Sequence, residues 1–367
     1  MTSKPPFDGE VVRLGELVES SKAKNKDGLF ADVYSVTNSH GFVPSQEYFN
    51  KEVYSKELRT YRVVHRNMIS YNPSRINVGS VAVQDKVDNA IVSPLYVVFS
   101  ADETKVIPGY LVRFLRSKPG LDQIAQQSIG TVRSNLKFDA LCKMQMPLPS
   151  LQAQVERMNK LTLVEQLADG CENYLSHLDE LVKSRFVEMF GDPASNPKRF
   201  PAKPGSELFR LGNGKTKPVS QRFNNGVPAY GGNGITWYTD EAMTSGPTIV
   251  LGRVGRHCGN ARLVIEPCWV TDNAMYIKNF YDSSLDFIYL INLMSIVKFN
   301  RYADEGDLWK ITQRPFMEFE FPLPPLALQH KFSAFVQRVD KLRVEAQAQK
   351  EKLQTLYDSL AQDYFAI

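Results

Sequence analysis

Apolar residues in this chain follow two alternating textures. Over residues 326–365, Phe332, Val339, Ala346, Leu353 and Leu360 stand seven apart, Phe335, Leu342 and Leu356 fall between them, and Gln349 is the exception. No Gly or Pro interrupts that run. The spacing predicts a long helix with a narrow apolar seam, which requires a partner helix. Residues 150–190 carry a matching seam, roughened by Tyr174 and Arg185, with no Pro and one glycine, Gly170. That stretch stops at Gly191-Asp192-Pro193, with glycine just past the end and proline beyond. At roughly 1.5 Å per residue it predicts a helix of about 60 Å. The two helices are expected to pair antiparallel. The expected seam holds Val164, Leu167, Cys171, Leu178 and Leu181 from one helix and Val339, Leu342, Ala346, Leu353 and Leu356 from the other. The alternative is two amphipathic helices packed on separate cores.

The helical pattern is one half of a duplication. Pro147-Leu148-Pro149-Ser150-Leu151 recurs as Pro322-Leu323-Pro324-Pro325-Leu326, an interval of 175 residues. The register holds down both helices, where Leu161, Val164, Leu167, Leu178 and Phe190 meet Val336, Val339, Leu342, Leu353 and Phe365. A repeat of this size predicts a pseudo-two-fold molecule. Four segments follow: 1–149, a helix over 150–192, a second irregular segment over 193–325, and a helix over 326–367. The class is α+β, with short strands punctuated by Gly, Pro, Asn and Ser in both irregular segments. Phe209-Arg210-Leu211-Gly212 echoes Val12-Arg13-Leu14-Gly15.

The irregular segments share a second correspondence. Ile69-Ser70-Tyr71-Asn72-Pro73-Ser74-Arg75-Ile76-Asn77-Val78-Gly79 matches Ile249-Val250-Leu251-Gly252-Arg253-Val254-Gly255-Arg256-His257-Cys258-Gly259. Each is an apolar strand running into a turn of basic and amide residues. Upstream of the second lies Tyr230-Gly231-Gly232-Asn233-Gly234. Glycines let a backbone approach a ligand closely, and Arg and Asn supply the bidentate donors that read guanine and adenine edges. Candidate DNA contacts are Tyr71, Asn72, Arg75 and Asn77 in the first segment. In the second they are Lys215, Lys217, Tyr230, Asn233, Trp237, Arg253, Arg256 and His257. Lys215 and Lys217 suit phosphates, and Tyr230 and Trp237 offer flat surfaces beside the phosphate path. The competing view makes these hairpin turns with solvated charges.

Composition narrows the classes. A length of 367 residues calls for two or more cores. No eighteen-residue apolar run is present, and the first residues have no apolar leader, so a cytoplasmic protein is expected. Net charge +4 and pI about 8.7 are compatible with nucleic acid without requiring it. Cys142, Cys171, Cys258 and Cys268 form no C-x-x-C pair, and His257-Cys258 with Cys268 is a poor match to zinc spacing, so no metal is expected. Gly212-Asn213-Gly214-Lys215-Thr216 ends like a phosphate-binding loop, but Phe209 stands where the first glycine belongs. Neither G-x-S-x-G nor H-E-x-x-H occurs. No catalytic residue is assigned, although a nuclease with a degenerate motif and a coiled-coil scaffold or stand-alone DNA-binding protein remain as alternatives.

The run Leu178-Asp179-Glu180-Leu181-Val182-Lys183-Ser184-Arg185-Phe186-Val187-Glu188-Met189-Phe190-Gly191-Asp192-Pro193 resembles the central region of type I restriction–modification specificity subunits. The Pro-Leu-Pro-x-Leu lead into each helix and the Tyr-Gly-Gly-Asn-Gly turn are similar to that family too, and the likeness covers nearly the whole chain. It implies two target recognition domains, separated by an antiparallel coiled coil, that read a bipartite, asymmetric site on double-stranded DNA. It also implies docking of two methyltransferase subunits and of restriction/translocase subunits. S-adenosylmethionine, ATP and Mg would belong to those partners, and this chain would bind no cofactor. The first segment departs from the pattern: it lacks the Tyr-Gly-Gly-Asn-Gly run.

Removing one heptad from both helices shortens each by roughly 10 Å, and the preferred spacer between half-sites should shrink by about three base pairs. Sequencing of methylated sites checks this, and an unchanged spacer contradicts it.

Overall fold

The computed structural model describes residues 9–48, 57–127, 135–282, 284–304, 306 and 309–367. Two compact units divide the chain: Met1–Cys171 with Ala348–Ile367, and Glu172–Gln347. In the first unit, strands β1 (Val18–Ser21), β2 (Tyr34–Thr37), β3 (Gly41–Pro44), β4 (Ile69–Tyr71), β5 (Val81–Val83) and β6 (Val97–Ala101) precede helix α1 (Pro108–Arg116). Helix α2 (Leu151–Phe190) begins in the first unit and ends in the second. The second unit holds β7 (Phe209–Asn213), β8 (Val227–Gly231), β9 (Gly234–Thr239), β10 (Thr248–Gly252), β11 (Ala261–Val264), β12 (Ala274–Phe280), α3 (Phe287–Val297) and the start of α4 (Leu326–Phe365).

The two units repeat one topology. The first builds an antiparallel sheet in the order β1-β6-β4-β5, and the second builds the same sheet as β7-β12-β10-β11. Ile69 opens β4 and Ile249 is the second residue of β10, and both are fully buried, so the repeat read from these segments marks equivalent strands. The echo of Val12-Arg13-Leu14-Gly15 in Phe209-Arg210-Leu211-Gly212 is corrected. Val12 and Arg13 pair with Met146 and Gln145, whereas Phe209 opens β7. Glu207-Leu208-Phe209 instead corresponds to Glu16-Leu17-Val18, and the apolar pair Leu17 and Leu208 is buried in both.

At each start of a long helix, one buried glutamine joins helix to sheet-bearing module. Gln154 Nε2 donates to the Pro149 carbonyl (3.0 Å) and the Lys105 carbonyl (2.9 Å), and its Oε1 accepts from the Ile107 amide (2.9 Å). Gln329, 175 residues later, does the same. Its Nε2 donates to the carbonyls of Pro324 (2.8 Å) and Ser284 (2.9 Å), and its Oε1 accepts from the Asp286 amide (2.9 Å). Ile107 and Asp286 are the residues just before α1 and α3, whose first amides have no intrahelical partner. Both glutamines are completely buried.

Aromatic residues complete each joint. Tyr110 of α1 packs on Phe365 at 5.1 Å, and Tyr289 of α3 packs on Phe190 at 4.8 Å. Phe190 and Phe365 are themselves related by the 175-residue interval. In the first unit the beginning of α2 (Leu161) shares a core with the end of α4 (Ala361, Phe365). In the second, the end of α2 (Leu178, Val182, Phe186) shares a core with the beginning of α4 (Phe332, Val336, Val339). The pair is therefore antiparallel.

The expected seam is half right. Val164, Leu178, Val339 and Ala346 are buried, and Cys171 and Leu353 are largely so. Leu167, Leu181, Leu342 and Leu356 are instead 41–50 % exposed. The next residues along turn further in: Val182 is buried, and Ala168, Arg343 and Tyr357 are half-buried. The reason lies at the helix ends. Phe186 and Phe190 on α2, and Phe332 with Val336 on α4, are spaced by four and dock on the module core, and this sets the rotation of each helix. Arg343 reaches Asp179 across the second unit's half of the seam at 2.7 Å.

Gln154→Leu strands two carbonyls and one amide in a dry joint, and should cost about 3 kcal/mol in denaturant unfolding. Gln152→Leu, at an exposed position on the same turn, should cost under about 0.5 kcal/mol.

Candidate nucleic-acid interface

Each unit raises a loop from the end of its central strand, and the two loops are built on one frame. In the first, the Asn72 amide donates to the Ser80 carbonyl (3.1 Å) and Gly79 closes the loop with φ +84. In the second, the Gly252 amide donates to the Asn260 carbonyl (2.8 Å) and Gly259 closes it with φ +81. A later segment straps both down: the Leu136 amide donates to the Pro73 carbonyl (3.1 Å) and the Ile311 amide to the Arg253 carbonyl (3.0 Å). All three closures use main chain, so the side chains between them are free to differ.

They do differ. Arg75 and Asn77 are exposed on the first loop, and Asn72 is half-buried, its Oδ1 accepting from the amide (3.1 Å) and hydroxyl (2.9 Å) of Ser74. On the second loop Arg253, Arg256 and His257 are all exposed. Four further segments of the second unit gather beside that loop. The Asn273 carbonyl accepts from the Arg253 amide (2.9 Å), and the Trp309 carbonyl accepts from the Gly255 amide (2.9 Å). Gly232 of the β8–β9 turn lies against Gly252, where a Cβ would meet the Gly252 Cα at 3.2 Å. Gly214 abuts Thr271 so closely that a Cβ would stand 1.9 Å from its carbonyl oxygen. The next residue, Lys215, is held through its main chain by Val270 (2.8 Å) and the Trp269 indole (2.9 Å), leaving its side chain exposed. Lys215, Asn233, Arg253, Arg256 and His257 thus sit on turns that converge at one end of the sheet.

Three candidates are corrected. Tyr71 is fully buried in the first core, its hydroxyl donating to the Leu136 carbonyl (3.0 Å), so it cannot reach a base. Burial raises its phenol well above the ordinary range. Lys217 is 5 % exposed, lies over the Trp269 ring at 4.5 Å and pairs with Glu241 (3.1 Å), so it braces the turn and is no free phosphate anchor. Tyr230 is 8 % exposed and donates to Glu266 (2.6 Å). Burial, then that carboxylate, pushes its phenol up to about 12, while the same hydrogen bond lowers Glu266. Trp237 is half-buried under the Arg222 guanidinium at 5.2 Å.

Sequence reasoning missed two groups. Asn273, Lys310 and Gln313 join the cluster from segments with no motif of their own, with Gln313 donating to Asn213 at 2.9 Å. The first unit also has a counterpart of the Gly-rich hairpin. Val33 beside β2 runs parallel to Ile91, as Ala229 of β8 runs parallel to Trp269. The three-residue turn Asn38-Ser39-His40 stands where the second unit has Gly232-Asn233, and each turn is followed by a glycine with positive φ, Gly41 and Gly234. The longer turn hid the match. Among the described residues, no three His, Cys, Asp or Glu side chains are grouped to hold a metal ion.

A family model for the type I restriction modification DNA specificity domain matches residues 203–355, the stretch that supplies most of this loop cluster. The match lies almost wholly within the second unit. The specificity subunit of the Escherichia coli type I restriction enzyme EcoprrI is 24 % identical over 115 residues, 31 % of this chain and 28 % of that subunit's length. Two solved structures share the fold over this whole chain at 16 % identity. One, described as the structural basis of complex assembly and conformational transition of the type I R-M system, superposes with TM-score 0.64 over all of its own chain. The other, the type I restriction-modification S subunit from M. genitalium, gives 0.56 over 98 % of its chain. The likeness in fold to these two structures covers the first unit as well, in keeping with the sheet order that the two units share.

Tyr71→Phe removes one buried hydrogen bond. It should lower stability by about 1 kcal/mol in denaturant unfolding and leave DNA affinity unchanged. Asn77→Ala should do the reverse, with binding anisotropy as the second readout.

Proposed function

We propose that the chain is the DNA specificity subunit of a type I restriction–modification complex, and that each unit reads one half of a bipartite, asymmetric duplex site. The observation that carries this reading is the pair of matched loops. Their main chains share the same three closures, yet Pro73, Asn77 and Ser80 in one stand where Arg253, His257 and Asn260 stand in the other. Two loops closed in the same way but bearing different side chains suit two different base sequences. Arginine and asparagine at Arg253, Arg256 and Asn233 suit guanine and adenine edges in the major groove, and exposed Lys215 suits a phosphate.

The chain contributes recognition and no bond-breaking residue. Methylation and cleavage, with S-adenosylmethionine, ATP and Mg, fall to two methyltransferase subunits and to restriction/translocase subunits docked on it. The half-exposed leucines Leu167, Leu181, Leu342 and Leu356 offer apolar surface of the kind partner subunits cover. Among the described residues no helix is long and apolar enough to cross a membrane.

Base-resolved mapping of modified adenines, in cells with and without the gene, reports the target. On that target Arg253→Ala should cost about 1–3 kcal/mol and relax the readout of one half-site only. Unchanged discrimination in both halves across a duplex library contradicts the loop assignment.

A further inference from the structure

The two units diverge at one place behind the β-hairpins. In the first, Arg116 at the end of α1 donates to the Thr37 carbonyl at 3.1 Å, and Ala82 on β5 lies beneath Gly41. In the second, the position on α3 that answers to Arg116 is Ser295, counted from the equivalent tyrosines Tyr110 and Tyr289. Arg262 stands in the place of Ala82, opposite Val250 as Ala82 is opposite Ser70, and lies by Gly234. The space an arginine fills in one unit is vacated in the other. It leaves a cavity of about 470 Å3 whose walls include Lys183, Arg262, Lys298, Asn233, Asn260 and Asn300.

The charge of this cavity is not imposed by the fold. The residue that answers to Lys183 in the other half is Asp358, and the one that answers to Arg262 is Ala82. Among the described residues, no carboxylate lines the cavity. Lys183, Arg262 and Lys298 are exposed and form no ion pair among the described residues. The carbonyl end of α3 near Ser295 brings roughly half a negative charge, too little to balance three cations. Like charges gathered in one concavity focus a positive potential, which an anion relieves. A lining of cations and amides, with few apolar groups, fits a phosphate, which accepts from all of them.

We infer that this cavity binds a phosphate group, held by Lys183, Arg262 and Lys298 with amide donors from Asn233 and Asn260. Asn233 and Asn260 also belong to the hairpin turn and loop assigned to DNA. The source is therefore a phosphodiester of the bound duplex, and this part rests on the DNA-reading function proposed above. The site belongs to the second unit alone.

The test uses the full chain with random-sequence duplex over a range of salt, and separately with inorganic phosphate against chloride at matched ionic strength. Lys183→Gln, Arg262→Gln and Lys298→Asn alter exposed residues, and asparagine tolerates the φ of +55 at position 298. Each should lower the slope of log K against log salt by about one. The triple variant should lose the thermal stabilisation that phosphate gives the parent. Duplex binding with all three slopes unchanged overturns the cavity assignment and leaves the DNA reading standing. If the parent binds no duplex, the DNA reading falls and the phosphate titration decides. Stabilisation lost in the triple variant then upholds the cavity with free phosphate as its ligand, and no stabilisation of the parent overturns it.

Discussion

A glutamine amide with two donors and an acceptor engaged at once is the constraint on which the rest of this structure rests. Gln154 and Gln329 stand where a Pro-Leu-Pro run gives way to a helix, a point at which chain carbonyls turn inward and the facing helix presents amides that lack partners. Left unpaired in a dry joint, each such group would cost on the order of 1–3 kcal/mol. One side chain satisfies three of them and, in doing so, fixes the angle at which the sheet-bearing module meets the helix. Glutamine reaches all three because its amide donates in two directions and accepts in a third.

With that joint set, the aromatic residues at the far helix ends have one way to dock. Phe365 meets Tyr110, and Phe190 meets Tyr289. Their fourfold spacing along the helices rotates α2 and α4, so that Val182 and Val336 turn inward and Leu181 and Leu342 turn half outward. The helix pair is thus oriented by what it carries at its ends. A seam drawn from heptads alone chooses the leucines because they are the more apolar, and misses that half-buried Arg343 and Ala168 lie further in than the leucines beside them.

Much of the architecture was legible because it is written twice. The 175-residue interval, the helices' lack of Pro and of any Gly but Gly170, and the glycine stop at Gly191 are each local signals with a direct physical cause. The correspondence of Ile69 with Ile249 held because both strands are buried on two faces and the loop after each closes on a left-handed glycine at the same distance, Gly79 and Gly259. The candidate site was legible in its turns and less so in its side chains. Tyr71, Tyr230 and Lys217 belong to polar or aromatic types favoured at interfaces, and only their depth reveals that they brace the framework. Asn38-Ser39-His40 escaped notice because its turn is longer than Gly232-Asn233, and strand adjacency, which relates the two, is not a property of linear order.

The loops pinned at Asn72–Ser80 and Gly252–Asn260 carry one more implication. Their anchors are amides and carbonyls, which every residue type possesses, together with a closing glycine. Apart from Ile76 and Cys258, which are buried in the two cores, the residues between the anchors are largely exposed and bear little of the folding free energy. Such a device can drift to a new sequence preference by single replacements, each tolerated by the framework, and one half can diversify while the other keeps its inherited preference.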